Sequence, residues 1–220
     1  MKNILRKHFE LRKVKEFIIV FYIIGFLGFI FPLSFRFFVF LIPFALLLSS
    51  ALLLMFHQTK YDAKTIIVFS FIYVAGLCIE IIGVKTGKIF GIYHYGSSLG
   101  PEIFGTPLII GLNWLFLVYA SASVVEKFNI PDLFKSFISA ALMVAYDIIT
   151  EQVAGTLDMW HWENRSIPLQ NYLAWFGLAF LLGITLKIFR IKTTNPVAFL
   201  LFTSQFLLFL GLFIYFKIII

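Results

Sequence analysis

The chain has 220 residues, 61% hydrophobic and only 13% charged, with 29 Phe, and its mean hydropathy is +0.97. Such a balance excludes an ordinary soluble domain and points to a polytopic membrane protein. A formal net charge of +7 does not argue for nucleic acid, because a third of the 18 basic residues fall in the first fifteen positions, where a basic segment serves as a topology signal or a contact to anionic membrane lipids.

The basic arm, residues 1–16, leads into an apolar stretch at 17–31. "LGFIFPLSF" offers no small-x-small cleavage pattern, so this reads as an uncleaved first span, shortened by Pro32. Further apolar stretches follow at 35–56, 65–84, 107–125, 133–154, 171–189 and 197–216, most of them near the roughly 20 residues a helix needs to cross a bilayer. The expectation is an all-α integral membrane protein of about seven transmembrane helices, one polytopic domain over 1–220. With the N-terminus in the cytoplasm, 13 basic residues fall on the cytoplasmic side and 5 on the other, and these sum to the 18 present. That bias sets the C-terminus outside and the chain in the cell membrane as a multi-pass protein. The two longest connections, 85–106 and 155–170, then share the outer face. The single cysteine, Cys78, lies in an apolar run, so no disulfide framework is possible within the chain.

The chemistry-bearing residues gather towards that face. Asp147 and Glu151 are four apart in a helical stretch and project side by side. Two such acids in a low-dielectric site cannot both ionise cheaply, so one is expected to hold a proton beside its ionised neighbour. Such a pair can act as general acid and general base, whereas acids that only reached the interface would be solvated. Glu80, in the last turns of the third stretch, approaches the same face; a structural pair with Lys85 or Lys88 is its plainer reading. Asn113 and Trp114 lie some two turns into the fourth stretch, where an amide is either interhelical glue or a substrate contact. The connection "KTGKIFGIYHYGSSLGPEIFGTP" interleaves glycines with Tyr93, Tyr95 and other aromatics. This suits a folded loop packed on helix ends and lacks the Lys-Ser/Thr of a phosphate cradle. His94 and His161 sit in the outer loops among aromatics, where an acid/base or hydrogen-bonding role is expected in preference to metal ligation. Trp160, Trp162 and Trp175 are interfacial belt or pocket residues.

Taken together, "EIIGVKTGKIFGIYHYGSSLGPEIFGTPLIIGLNW", "AYDIITEQVAGTLDMWHW" and "IPLQNYLAWF" resemble the carotenoid biosynthesis membrane proteins of the CruF type, the carotenoid 1,2-hydratases. The likeness runs from about Glu80 to Trp175. It departs at Glu151-Gln152, where the resembled pattern has Asp followed by Pro. The resemblance implies addition of water across the terminal double bond of an acyclic carotenoid end, with no cofactor and no metal, on a substrate drawn from the bilayer. Other carotenoid-biosynthesis enzymes are possible partners. The residues themselves assign Asp147, Glu151, Glu80 and His94 to acid–base work. Tyr93, Tyr95, Asn113, Trp114, Trp160, Trp162, Asn171 and Trp175 are assigned to the substrate. Alternatives are a membrane end-group cyclase sharing the first protonation, a magnesium-dependent prenyltransferase, for which a second acid-rich motif is missing, and a transporter, receptor or accessory protein.

Overall fold

The computed structural model describes residues 2–163 and 166–219. Asn164 and Arg165, the latter counted above among the outer-face basic residues, lie outside the described residues, as do Met1 of the basic arm and Ile220. Among the described residues, eight helices form the bundle: α1 (Lys2–Ile30), α2 (Pro32–Phe40), α3 (Ile42–Met55), α4 (Ala63–Thr86), α5 (Ile109–Glu126), α6 (Asp132–Ala154), α7 (Leu169–Ile188) and α8 (Ala198–Ile214). A π-helical turn, Tyr215–Ile219, continues α8.

Proline and capping residues place the helix ends. Pro32 opens α2 at its first turn, where its missing N–H is no loss. Pro43 stands in the first turn of α3, and the α2–α3 pair bends there by 57°. Asp62 caps α4 by accepting from the Thr65 N–H at 2.8 Å. Gly87 ends α4 at a φ of 64°, a conformation that glycine adopts without strain.

Seven helical units thus correspond to the seven expected apolar stretches, with the second stretch broken into α2 and α3. Among the described residues, five helices are individually long and apolar enough to span, and the bent pair makes a sixth. α1 falls short because its apolar part, 17–30, is cut off by Lys15 and Glu16 on one side and Pro32 on the other; the basic arm is the first half of this same helix. The molecule is a multi-pass α-helical membrane protein.

α5 is the central helix. Every residue from Trp114 to Ala122 is buried, as expected of a helix with neighbours on all sides. α6 packs on α5, α7 and α8, α4 packs on α5, and α1 packs on α2 and α8. The other helices turn apolar faces outward, among them Val20 and Ile24 of α1 and Leu173 and Leu181 of α7; these are faces for lipid. At the end of the bundle where α5 stops and α6 begins, Glu126 is held between Lys135, at 3.6 Å, and Lys187.

Close approach of α4 to α5 depends on Gly76, where an added Cβ would fall 2.6 Å from the Trp114 Cβ. Gly76→Leu is therefore expected to destabilise the protein by about 1–3 kcal/mol, the usual result of overpacking, read as earlier thermal unfolding in detergent.

Candidate functional site

The site is built by the two long connections, which pair as a sheet. β1 (Tyr93–Tyr95) lies antiparallel to a strand from the other connection, Trp160–Trp162, with Tyr93 opposite Trp162, His94 opposite His161 and Tyr95 opposite Trp160. Two shorter strands, β2 (Glu102–Ile103) and β3 (Thr106–Pro107), form a hairpin in the first connection; Trp160–Trp162 is β4. The two long connections therefore meet at one end of the bundle, as the order of the apolar stretches implied.

Side chains alternate across a strand, and pairing "YHY" with "WHW" sorts the aromatic donors from the histidines. Tyr93, Tyr95, Trp160 and Trp162 present their O–H and N–H groups to the helix ends. His94 and His161 project from the other side, where their rings stack at 5.4 Å.

The inward donors meet buried carboxylates. Glu80 Oε2 accepts from Tyr93 Oη at 2.5 Å and Tyr95 Oη at 2.9 Å, while its Oε1 accepts from Trp114 Nε1 at 3.0 Å. Glu151 Oε2 accepts from Trp160 Nε1 at 3.0 Å and Trp162 Nε1 at 2.8 Å. Asp147, only 1% exposed, accepts at Oδ2 from Asn171 Nδ2 at 2.9 Å. Burial and the neighbouring Glu80 charge push the Tyr93 and Tyr95 phenols well above their ordinary range, so both stay protonated and donating at neutral pH.

Beside these acids lies a cavity of about 330 Å³, at the lower end of the roughly 300–1,000 Å³ usual for ligand sites. Its walls come from α1, α2, α3, α5, α6, α7 and α8, and Leu99, Leu157, Met159 and Trp160 close it at the loop end. Among the three buried carboxylates, Asp147 is the one on the cavity wall. Asn113, Trp160 and Trp175 share that wall, and Trp175 stacks on Trp114 at 4.4 Å. Ile24 and Phe44 line the cavity yet are 53% and 52% exposed, and the space beside Gly25 is empty. The cavity thus opens sideways between α1 and α3.

The structure sorts the expected site residues into three groups. Asp147, Asn113, Trp160 and Trp175 face the cavity. Glu80, Glu151, Tyr93, Tyr95, Trp114, Trp162 and Asn171 stand behind it as a network of acceptors and donors. Glu80 is paired with aromatic donors, not with Lys85 or Lys88. His94 is exposed and is not brought to the carboxylates.

Sequence reasoning missed the clamp that aligns the two connections. Asp158 accepts from the Ser97 N–H at 3.0 Å and Ser97 Oγ at 2.6 Å through Oδ2, and Oδ1 meets His161 Nε2 at 2.9 Å. Ser98 Oγ donates to the Asp158 carbonyl at 2.8 Å. Gly96 is required beside it, since a Cβ there would fall 2.2 Å from the Asp158 carbonyl oxygen. The signal available in sequence was the Gly-Ser-Ser after "YHY" and the Asp just before "MWHW".

The chain is thus a bundle of membrane-crossing helices with one buried carboxylate, Asp147, on the wall of an apolar, laterally open cavity and two more, Glu80 and Glu151, behind it. Residues 36–220 match the family model described as carotenoid biosynthesis protein, and the chain belongs to that family. No curated protein and no solved structure matches it.

Two outcomes test this geometry. Glu80→Leu leaves three buried donors without their acceptor, and a single orphaned group costs about 1–3 kcal/mol; a lower unfolding temperature and altered Trp114 fluorescence are expected. For the clamp, hydrogen bonds from Ser97 and then His161 hold the Asp158 carboxyl below its usual range. A depressed carboxyl stabilises the fold above its unfolded value of about 4 and loses that contribution as pH falls through the lower folded value. Asp158→Ala should therefore speed proteolysis of the two paired connections at neutral pH, and the difference from wild type should shrink in strong acid.

Proposed function

We propose that this protein is a carotenoid hydratase, adding water to the terminal double bond of an acyclic carotenoid end group without a cofactor. The observation that carries the reading is Asp147, a buried carboxyl held by Asn171 on the wall of an apolar cavity open towards lipid. The volume suits the end of a long polyene, which enters between α1 and α3 while the remainder stays in the bilayer.

In this mechanism neutral Asp147 protonates the terminal alkene, and the π pair becomes the new C–H bond. A tertiary cation results. The faces of Trp160 and Trp175 on the same wall stabilise it through their quadrupoles. Water adds to the cation, and its surplus proton returns to Asp147, leaving a tertiary alcohol and the acid restored. Glu151 and Glu80, with oxygens engaged by indole and phenol donors, supply fixed negative charge and position the cavity wall. The acids lie on the outer side of the cell membrane, with the N-terminus in the cytoplasm.

The apolar lining favours a second reading, in which a neighbouring double bond captures the cation and closes a ring. Product mass separates the two.

The test is pigment analysis by liquid chromatography and mass spectrometry in a host that makes lycopene or another acyclic carotenoid. The wild type is expected to yield a product heavier by one water. Asp147→Asn is expected to lose at least roughly 100-fold of that conversion, the lower range for a general acid, with the protein still present in the membrane. A product of unchanged mass would establish cyclisation instead, and unaltered pigment across several acyclic substrates would overturn the enzyme reading.

A further inference from the structure

The cavity carries a polar station that protonation by Asp147 does not use. Gln205, in the middle of α8, is buried to 92% and lines the cavity. Its Nε2 donates to Tyr146 Oη at 2.8 Å. Its Oε1 is buried with no hydrogen-bond partner among the described residues. Tyr146 precedes Asp147 on α6 and lines the same cavity, as do Tyr22 and Ser49, which hydrogen-bond to each other at 3.0 Å.

Interhelical adhesion between α8 and α6 accounts for the amide nitrogen alone. A buried carbonyl oxygen beside an apolar chamber is unfavourable unless a donor reaches it. A polyene has no N–H or O–H to offer. Water does, and so does the tertiary hydroxyl that water becomes.

Resting on the hydratase reading above, we infer that Gln205 is the residue that holds the attacking water, and that it thereby selects hydration over the other fates of the cation. Gln205 Oε1 accepts one O–H of the water, which leaves an oxygen lone pair free to form the C–O bond. Glu80 and Glu151 are poorer hosts, since neither lines the cavity and each carboxylate already receives two or more aromatic donors. The bonds balance without a redox partner: a proton passes from Asp147 to the alkene carbon, the water lone pair becomes the C–O bond, and one water O–H breaks to return its proton to the Asp147 carboxylate. Gln205 neither gains nor loses a proton. With no water held, the same cation either gives a proton back to Asp147, regenerating an alkene, or closes on its own chain, and both products keep the substrate mass.

The experiment uses the full-length protein in isolated membranes supplied with lycopene in deuterium oxide, comparing wild type, Gln205→Leu and Gln205→Glu by liquid chromatography and mass spectrometry. Deuterium entering carbon reports protonation, and added water reports capture. Gln205→Leu is expected to lower the hydrated product at least tenfold while deuterium continues to enter recovered or isomeric carotenoid. Gln205→Glu, which keeps an acceptor oxygen, is expected to restore part of the hydration. Hydration by Gln205→Leu at the wild-type level would overturn the assignment, and so would parallel loss of deuterium exchange and hydration in both variants, which marks a purely structural role. Failure of the parent reading shows elsewhere, as a wild type that forms no hydrated product, and it removes this assignment as well.

Discussion

Everything at the loop-covered end of this bundle depends on hydrogen bonds donated to carboxylates that water scarcely reaches. Glu80, Asp147 and Glu151 are each at most 8% exposed, and an acid in that situation is tolerated only when partners replace its hydration. Five of the six donors are aromatic: two phenols and three indoles. Aromatic donors satisfy the acids without importing a compensating positive charge. An Arg or Lys partner would have fixed the acids in tight ion pairs and made an apolar cavity beside them harder to sustain.

The β1–β4 pairing delivers four of those donors at once. A two-stranded ribbon is marginal by itself, and here it is tied down by the Asp158 clamp at one end and by insertion of its aromatic face at the helix ends. The left-handed backbone of Asp158, with φ at 54°, is a strained position for a residue with a side chain, and its several hydrogen bonds to Ser97, Ser98 and His161 are what keep it there. The ribbon, and not any single helix, sets the depth at which Trp160 reaches both Glu151 and the cavity.

Much of this was readable from residue order. Apolar runs located the helices, and the four-residue spacing of Asp147 and Glu151 placed both on the buried face of α6. The Gly- and Tyr-rich connection and the Trp-His-Trp segment were legible as a folded cover on the helix ends. Their pairing was not, because three-residue strands are too short to show a period, and the register that turns His94 outward follows only from that pairing. The bend between α2 and α3 was signalled by Pro43 but hidden inside a continuous run of hydrophobic residues. Gln205 carries no local signal, since a lone amide in an apolar helix is equally suited to helix contact; its open oxygen emerges only from the packing of α8 against α6.

The chain divides its labour between two parts. All three carboxylates and their donors come from α4 to α7 and the connections between them, whereas much of the cavity's apolar wall comes from α1, α3 and α8. Part of that wall, from Phe21 to Phe29 on α1, precedes residue 36, where the family match begins. Changes of size or shape in α1 and α3 can therefore remodel the chamber while leaving the acid network intact. The shape of the chamber and the hydrogen-bonded acids are thus set by different stretches of the chain, as a mould is separate from what is fixed beside it.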